Sequence, residues 1–175
     1  MKIWTLSNVL SLSRILLAVP MAILLWYGYN VLAVITGAVS SITDMLDGWI
    51  ARKYNQVSEY GKIFDPLADK IFVGVTVIIL LIQGRFPLWL ALMVLGRDLL
   101  IALGGIIAAK RMKKVIPSDM IGKATVLILG FTIMFSILNV YFILDYAYII
   151  CAIALIYSFL HYAVRGIKKM KESEN

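Results

Sequence analysis

Apolar residues run along this chain in long blocks broken by short polar interruptions, with little alternation of period two. A helix needs about 20 apolar residues to cross a hydrocarbon layer. The blocks predict spanning helices near 9–27, 31–52, 61–83, 87–109, 120–143 and 146–166. Runs such as Val73–Ile82 and Ala147–Tyr157 carry no charge, which argues against the alternating strands of a membrane barrel. The expected fold is therefore all-α: a polytopic membrane protein with six transmembrane helices, forming a single domain over 1–175. The first eight residues, MKIWTLSN, set Trp4 among polar neighbours and leave room for a short N-terminal interfacial helix.

Composition agrees with that pattern. Of 175 residues, 62% are hydrophobic and 15% charged, too apolar for an ordinary soluble domain. The formal charge of +7 would suit nucleic acid, but its distribution points elsewhere. With the N-terminus inside, the inner side holds Lys2, Arg52, Lys53, the cluster Lys110, Arg111, Lys113 and Lys114, and the tail Lys168, Lys169 and Lys171. The other side holds Arg85. This positive-inside bias puts both termini on the cytoplasmic face of a plasma membrane, bacterial or archaeal, and predicts no nucleic-acid partner. The basic loop at 110–114 would lie against anionic head groups. No cleavable signal peptide is expected, because Arg14 interrupts a first block that continues to spanning length. The single Cys151 lies in an apolar run and reads as a core residue.

One polar stretch stands out: DMLDGWIARKYNQVSEYGKIFDPLAD, from Asp44 to Asp69. Ionised carboxylates beside hydrocarbon are costly unless a positive charge holds them there. Asp44 and Asp47 are three apart and Asp65 and Asp69 four apart, so each pair shares a helix face. Brought together, the two helices would offer four hard oxygen ligands suited to two ions of Mg²⁺ or Mn²⁺. The competing reading pairs the aspartates with Arg14, Arg52, Lys62 or Lys70 as structural ion pairs. A cation channel or carrier would also place acids on membrane helices.

The same stretch resembles the signature of the CDP-alcohol phosphatidyltransferases, D-x2-D-G-x2-A-R-x8-G-x3-D-x3-D. Asp44, Asp47, Gly48, Ala51, Arg52, Gly61, Asp65 and Asp69 fill it with every spacing kept. The resemblance implies a membrane enzyme that moves a phosphatidyl group from CDP-diacylglycerol to an alcohol acceptor and releases CMP, commonly as a homodimer. It implies Asp44, Asp47, Asp65 and Asp69 as metal ligands, with Asp69 also the general base, and a nucleotide site at Asp47, Gly48, Ala51, Arg52 and Gly61. Asn8, Ser11 and Arg14 resemble the family's P-N-x-x-T-x-x-R motif, with Ser7 for proline and Ser11 for threonine. Asn8 and Ser11 would then serve the nucleotide too, helix capping being their alternative role.

For the acceptor, the resemblance implies Arg97 and Lys123, with Arg111 as a further candidate, as ligands of its phosphate. Structural pairs of Arg97 with Asp98 or Lys123 with Asp119 are the alternative. The best acceptor is glycerol 3-phosphate, giving phosphatidylglycerophosphate. Gly105 stands where those synthases carry a second arginine, and Asp98 where they carry Glu. Both features resemble the cardiolipin synthases, whose acceptor is phosphatidylglycerol. Inositol phosphate and other polyol phosphates are further alternatives. His161 reads as structural, and Gly104–Gly105 as a place for close helix packing.

Overall fold

The computed structural model describes residues 6–53, 61–112 and 120–174, with side-chain packing described for 15–43, 69–101, 103–104, 120–166 and 168. The described residues form six helices in chain order: α1 (Leu6–Trp26), α2 (Asn30–Lys53), α3 (Gly61–Ile82), α4 (Leu88–Met112), α5 (Met120–Leu138) and α6 (Tyr141–Glu174). The all-α expectation holds among them. The interfacial-helix expectation falls partly on residues 1–5, outside the described residues, and Leu6–Asn8 form the first turn of α1.

The chain divides into two compact units, Met1–Arg85 and Phe86–Asn175. In the first, α1 packs against both α2 and α3. Ala18, Met21 and Leu25 of α1, Ala33 and Ser40 of α2, and Thr76, Val77 and Leu80 of α3 are buried there. In the second, α6 packs against both α4 and α5. Its buried positions Leu144, Ala147, Cys151, Leu155 and Ser158 recur every three or four residues, the spacing of a helix seam.

Three of the connections are tight turns of one design. Gly28, Gly84 and Asn139 have positive φ, at 78°, 68° and 55°. After each, the next amide reaches back five residues: Tyr29 N to Leu24 O at 2.8 Å, Arg85 N to Leu80 O at 2.8 Å and Val140 N to Phe135 O at 3.1 Å. The positive-φ residue itself bonds three back, as Asn139 N does to Ser136 O at 3.3 Å. These paired bonds satisfy carbonyls that a helix end leaves open. The third turn corrects two predicted boundaries. The fifth helix stops at Leu138 instead of 143, and the sixth begins at Tyr141 instead of 146 and runs on to Glu174. Apolar residues continue on both sides of Asn139, so hydropathy hides a break made by backbone conformation.

Hydroxyl groups inside the helices are satisfied locally. Thr36, Ser41, Thr43, Thr76, Thr125, Thr132 and Ser136 each donate to the carbonyl four residues back at 2.8 to 3.0 Å. Along α5, Thr125, Thr132 and Ser136 also reach α6, at Ala154 O (3.4 Å), Ala147 O (3.5 Å) and the Tyr148 hydroxyl (3.1 Å). Outward faces are strongly apolar: Leu127, Phe131 and Ile153 are more than half exposed. A Cβ built at Gly104 meets nothing within 4 Å among the described residues, and the surroundings of Gly105 lie outside them.

Asn tolerates the left-handed region better than other non-glycine residues, but at a cost. Asn139→Ala should lower unfolding stability by about 1 kcal/mol, whereas Asn139→Gly should equal or exceed wild type. Chemical unfolding in detergent micelles, followed by circular dichroism, would check both.

Candidate active site

The helix registers in the first unit bring the sequence motifs to one end. A Cβ at Gly37 would stand 3.7 Å from the Met21 methyl group, so these two positions face each other across α1 and α2. The tight turn at 27–29 makes the two helices antiparallel. Ten residues further from that turn come Ser11 on α1 and Asp47 on α2. The third helix is tied at the same turn: Gln83 Nε2 donates to Leu25 O at 2.7 Å and Arg85 Nη1 to Asn30 Oδ1 at 2.9 Å. The C-terminal ends of α1 and α3 therefore meet, and the two helices run parallel. Fourteen residues back from Leu25 and Gln83 stand Ser11 and Asp69. At a common rise of 1.5 Å per residue, Ser11, Asp47 and Asp69 share one level to within about a turn.

Counted along each helix, they also fall on the register lines of the buried seams. The α1 seam of Leu25, Met21 and Ala18 continues at spacings of three and four to Arg14 and Ser11, with Asn8 one turn beyond. On α2 the line Ala33, Gly37 and Ser40 continues to Asp44, Asp47 and Ala51. On α3, Asp69 lies seven residues before the buried Thr76, and Asp65 one turn earlier. Each seam is apolar near the tight turns and polar or acidic at its other end. Gly48 and Arg52 sit in the last turns of α2, and Gly61 opens α3.

Asp69 is exposed, so this end of the α3 seam is open. The side chains of Asp44, Asp47 and Asp65 lie outside the described residues, as do those of Asn8, Ser11 and Arg52. The four carboxylates, near two helix ends joined by the seven-residue segment 54–60, are hard oxygen donors of the kind that divalent Mg²⁺ or Mn²⁺ prefers.

In the second unit, Arg97 of α4 is gripped from two sides. Its Nη1 donates to Asp98 Oδ1 at 2.7 Å and its Nη2 to Ser158 Oγ of α6 at 2.8 Å. Ala154 and Ser158 are one turn apart on α6. Arg97 and the Thr125 hydroxyl, which reaches Ala154 O, thus meet α6 within about 6 Å of each other along its axis. Lys123, two residues before Thr125, is exposed near that level. Arg111 is different. Because α4 is continuous from Leu88 to Met112, Arg111 stands about 21 Å along the helix from Arg97, and its side chain lies outside the described residues. Ser158 was absent from the sequence reading; the only hint was a serine at the next seam position after Leu155. His161 stacks obliquely on Tyr157, with ring centroids 6.4 Å apart.

Residues 4–160 match the CDP-alcohol phosphatidyltransferase family. The chain belongs to that family. A relative from Aquifex aeolicus, named CDP-diacylglycerol–glycerol-3-phosphate 3-phosphatidyltransferase, is 33% identical over 172 residues, covering 92% of this chain and 95% of its own. A Rickettsia typhi protein of the same name is 45% identical over 101 residues, 55% of this chain and 56% of that protein. The chain thus spans little more than half the length of the Rickettsia relative it matches. A fusion of cardiolipin synthase (CMP-forming) with a mitochondrial hydrolase from Schizosaccharomyces pombe is 40% identical over 99 residues, 57% of this chain and 17% of the fusion.

The Arg97 contacts carry a structural consequence of their own. Arg97→Ala removes a partly buried ion pair and a helix-to-helix hydrogen bond, and should lower stability by about 1 to 2 kcal/mol. Asp98→Asn, which keeps an acceptor beside the guanidinium, should cost less; unfolding curves of the two variants would rank them.

Proposed function

We propose that this chain is an integral membrane phosphatidyltransferase that transfers the phosphatidyl group of CDP-diacylglycerol to glycerol 3-phosphate. The observation that carries this reading is the common level of Ser11, Asp47 and Asp69 at the polar end of three packed seams. The Aquifex relative, matched over nearly its whole length and named for this reaction, supports the acceptor.

In the reaction, the hydroxyl oxygen of the acceptor attacks the phosphorus that bears diacylglycerol. The bond from that phosphorus to the CMP oxygen breaks, and CMP leaves with the electron pair. Asp69 takes the hydroxyl proton. Asp44, Asp47, Asp65 and Asp69 would hold two divalent ions, which when bound supply charge neutralisation for the pyrophosphate. Gly48, Ala51 and Gly61 keep side-chain bulk away from the nucleotide, while Arg52, Asn8 and Ser11 offer it donors. Arg97 and Lys123 bind the acceptor's phosphate.

The membrane setting follows from the helices. Among the described residues, Met120–Leu138 and Tyr141–Gly166 are long and apolar enough to cross a bilayer, and Ile15–Trp26 and Asn30–Thr43 are shorter apolar stretches. Helices α1 to α4 have 21 to 25 residues each, enough to span when their polar ends carry the motifs. Exposed Trp26, Tyr27 and Tyr29 surround one tight turn, and Tyr141 and Phe142 another, as aromatic residues do at a lipid–water interface. Six spans would put both termini on one side, the positive-inside bias favours the cytoplasmic one for them and the aspartates, and a homodimer suits the family.

A second reading is favoured by Gly105 and Asp98 and by the cardiolipin synthase match: transfer to phosphatidylglycerol, giving cardiolipin. A channel or carrier would account for the acids but not for Gly48, Ala51, Arg52 and Gly61 at the family spacing.

The deciding assay is CMP release from protein in liposomes with CDP-diacylglycerol, Mg²⁺ or Mn²⁺, and one acceptor at a time. Glycerol 3-phosphate should support release, chelation by EDTA should stop it, and Asp69→Asn should lower it by about 10²- to 10⁴-fold without unfolding the protein. Release with phosphatidylglycerol alone would select the second reading, and failure with every acceptor would reject the enzyme. Orientation is tested separately in a Cys151→Ser background. A cysteine at Ser173 should react with impermeant reagent from the cytoplasmic side, and one at Tyr141 from the opposite side.

A further inference from the structure

Along α6 the buried seam is Leu144, Ala147, Cys151 and Leu155, and the next position on it is Ser158, only 4% exposed. Its hydroxyl accepts from Arg97 Nη2 at 2.8 Å while Asp98 accepts from Nη1 at 2.7 Å. The guanidinium is planar and carries five N–H donors, so holding one on each terminal nitrogen fixes the plane and the directions of the other three. One of those three, the Arg97 Nε–H, is buried and has no hydrogen-bond partner among the described residues. A buried donor without an acceptor is costly and calls for an explanation. A phosphate oxygen is the acceptor that a guanidinium suits best.

We propose that Ser158 is a positioning residue for the acceptor's phosphate: with Asp98 it pins the Arg97 guanidinium so that its remaining N–H donors keep one fixed direction for a phosphate oxygen. The inference rests on Arg97 serving the acceptor, as proposed above. The ligand chemistry is a phosphate ester of glycerol, either the monoester of glycerol 3-phosphate or the diester of phosphatidylglycerol. An arginine already fixed by two partners gives up less side-chain freedom when the phosphate arrives. Ser158 therefore acts on acceptor affinity, through Arg97, and touches neither the nucleotide nor the reacting atoms.

The test uses the full chain in liposomes at saturating CDP-diacylglycerol and Mn²⁺, titrating glycerol 3-phosphate and phosphatidylglycerol in separate arms. The arm that shows activity identifies the source of the phosphate. Ser158→Ala should raise the acceptor KM about tenfold, with the KM for CDP-diacylglycerol changed by no more than about twofold. Ser158→Thr, which keeps the hydroxyl, should restore the acceptor KM. Arg97→Gln should raise it at least as far, and adding Ser158→Ala to Arg97→Gln should do nothing more.

An unchanged acceptor KM in Ser158→Ala, with Arg97→Gln impaired, would overturn the role of Ser158 and leave the acceptor reading standing. An unchanged acceptor KM in Arg97→Gln would remove the acceptor reading and the proposal with it. Equal losses toward both substrates, or additive losses in the double variant, would mark Ser158 as merely structural. If Ser158→Ala does not assemble, Ser158→Cys makes the same comparison with a side chain of similar size and a weaker acceptor. A raised acceptor KM in that variant supports the proposal, and an unchanged one overturns it.

Discussion

α1 is held on both sides, and the register of those two contacts determines where the aspartates stand. Met21 against Gly37 sets its antiparallel pairing with α2, and Gln83 on Leu25 O sets its parallel pairing with α3. A shift of one helical turn in either contact would move a pair of carboxylates by 5.4 Å along the axis, more than the length of a metal–oxygen bond. The fully buried Leu25, Val77 and Leu80 sit near the tight turns, away from the polar end. Packing thus anchors the end of the unit near the tight turns.

The second unit repeats the principle with α6 as its shared helix. Its α5 contact is lined by Thr125, Thr132 and Ser136, whose hydroxyls satisfy their own helix and also approach α6. In a bilayer, where burying apolar surface separates no water from lipid tails, close approach and such hydrogen bonds hold helices together. Arg97 reaching Ser158 is the polar end of that arrangement. A guanidinium held by two partners is a structural clamp, and that role does not exclude the phosphate-binding one proposed for Arg97.

Family membership narrows the chemistry to the transfer of a phosphate-linked group from a CDP-alcohol, and the acceptor is where the residues of this chain diverge. Gly105 removes one cation expected of a phosphatidylglycerophosphate synthase. In the proposed site Arg97 would compensate by rigidity, since a fixed donor binds one oxygen with less entropic loss than a free one. Arg111, about 21 Å along α4 at the helical rise, stands apart from that group. Arg97 and Lys123, the two cations proposed for the acceptor's phosphate, stand near one level along α6.

The apolar blocks were enough to predict helices, because a period of 3.6 and the length of a span are properties of local sequence. The aspartates and glycines between Asp44 and Asp69 were enough to point to the family, and a spacing of three or four on a helix already sets two carboxylates on one face. Two things required the folded chain. The turn at Asn139 depends on a backbone conformation that hydropathy does not encode, so the boundaries around it were misplaced by about a turn. The partnership of Arg97 with Ser158 joins residues 61 positions apart, and nothing local marks a serine on an apolar helix as the partner of a distant cation. Local periodicity determined which faces exist; only the packing of α1 and α6 against their neighbours decided which residues those faces bring together.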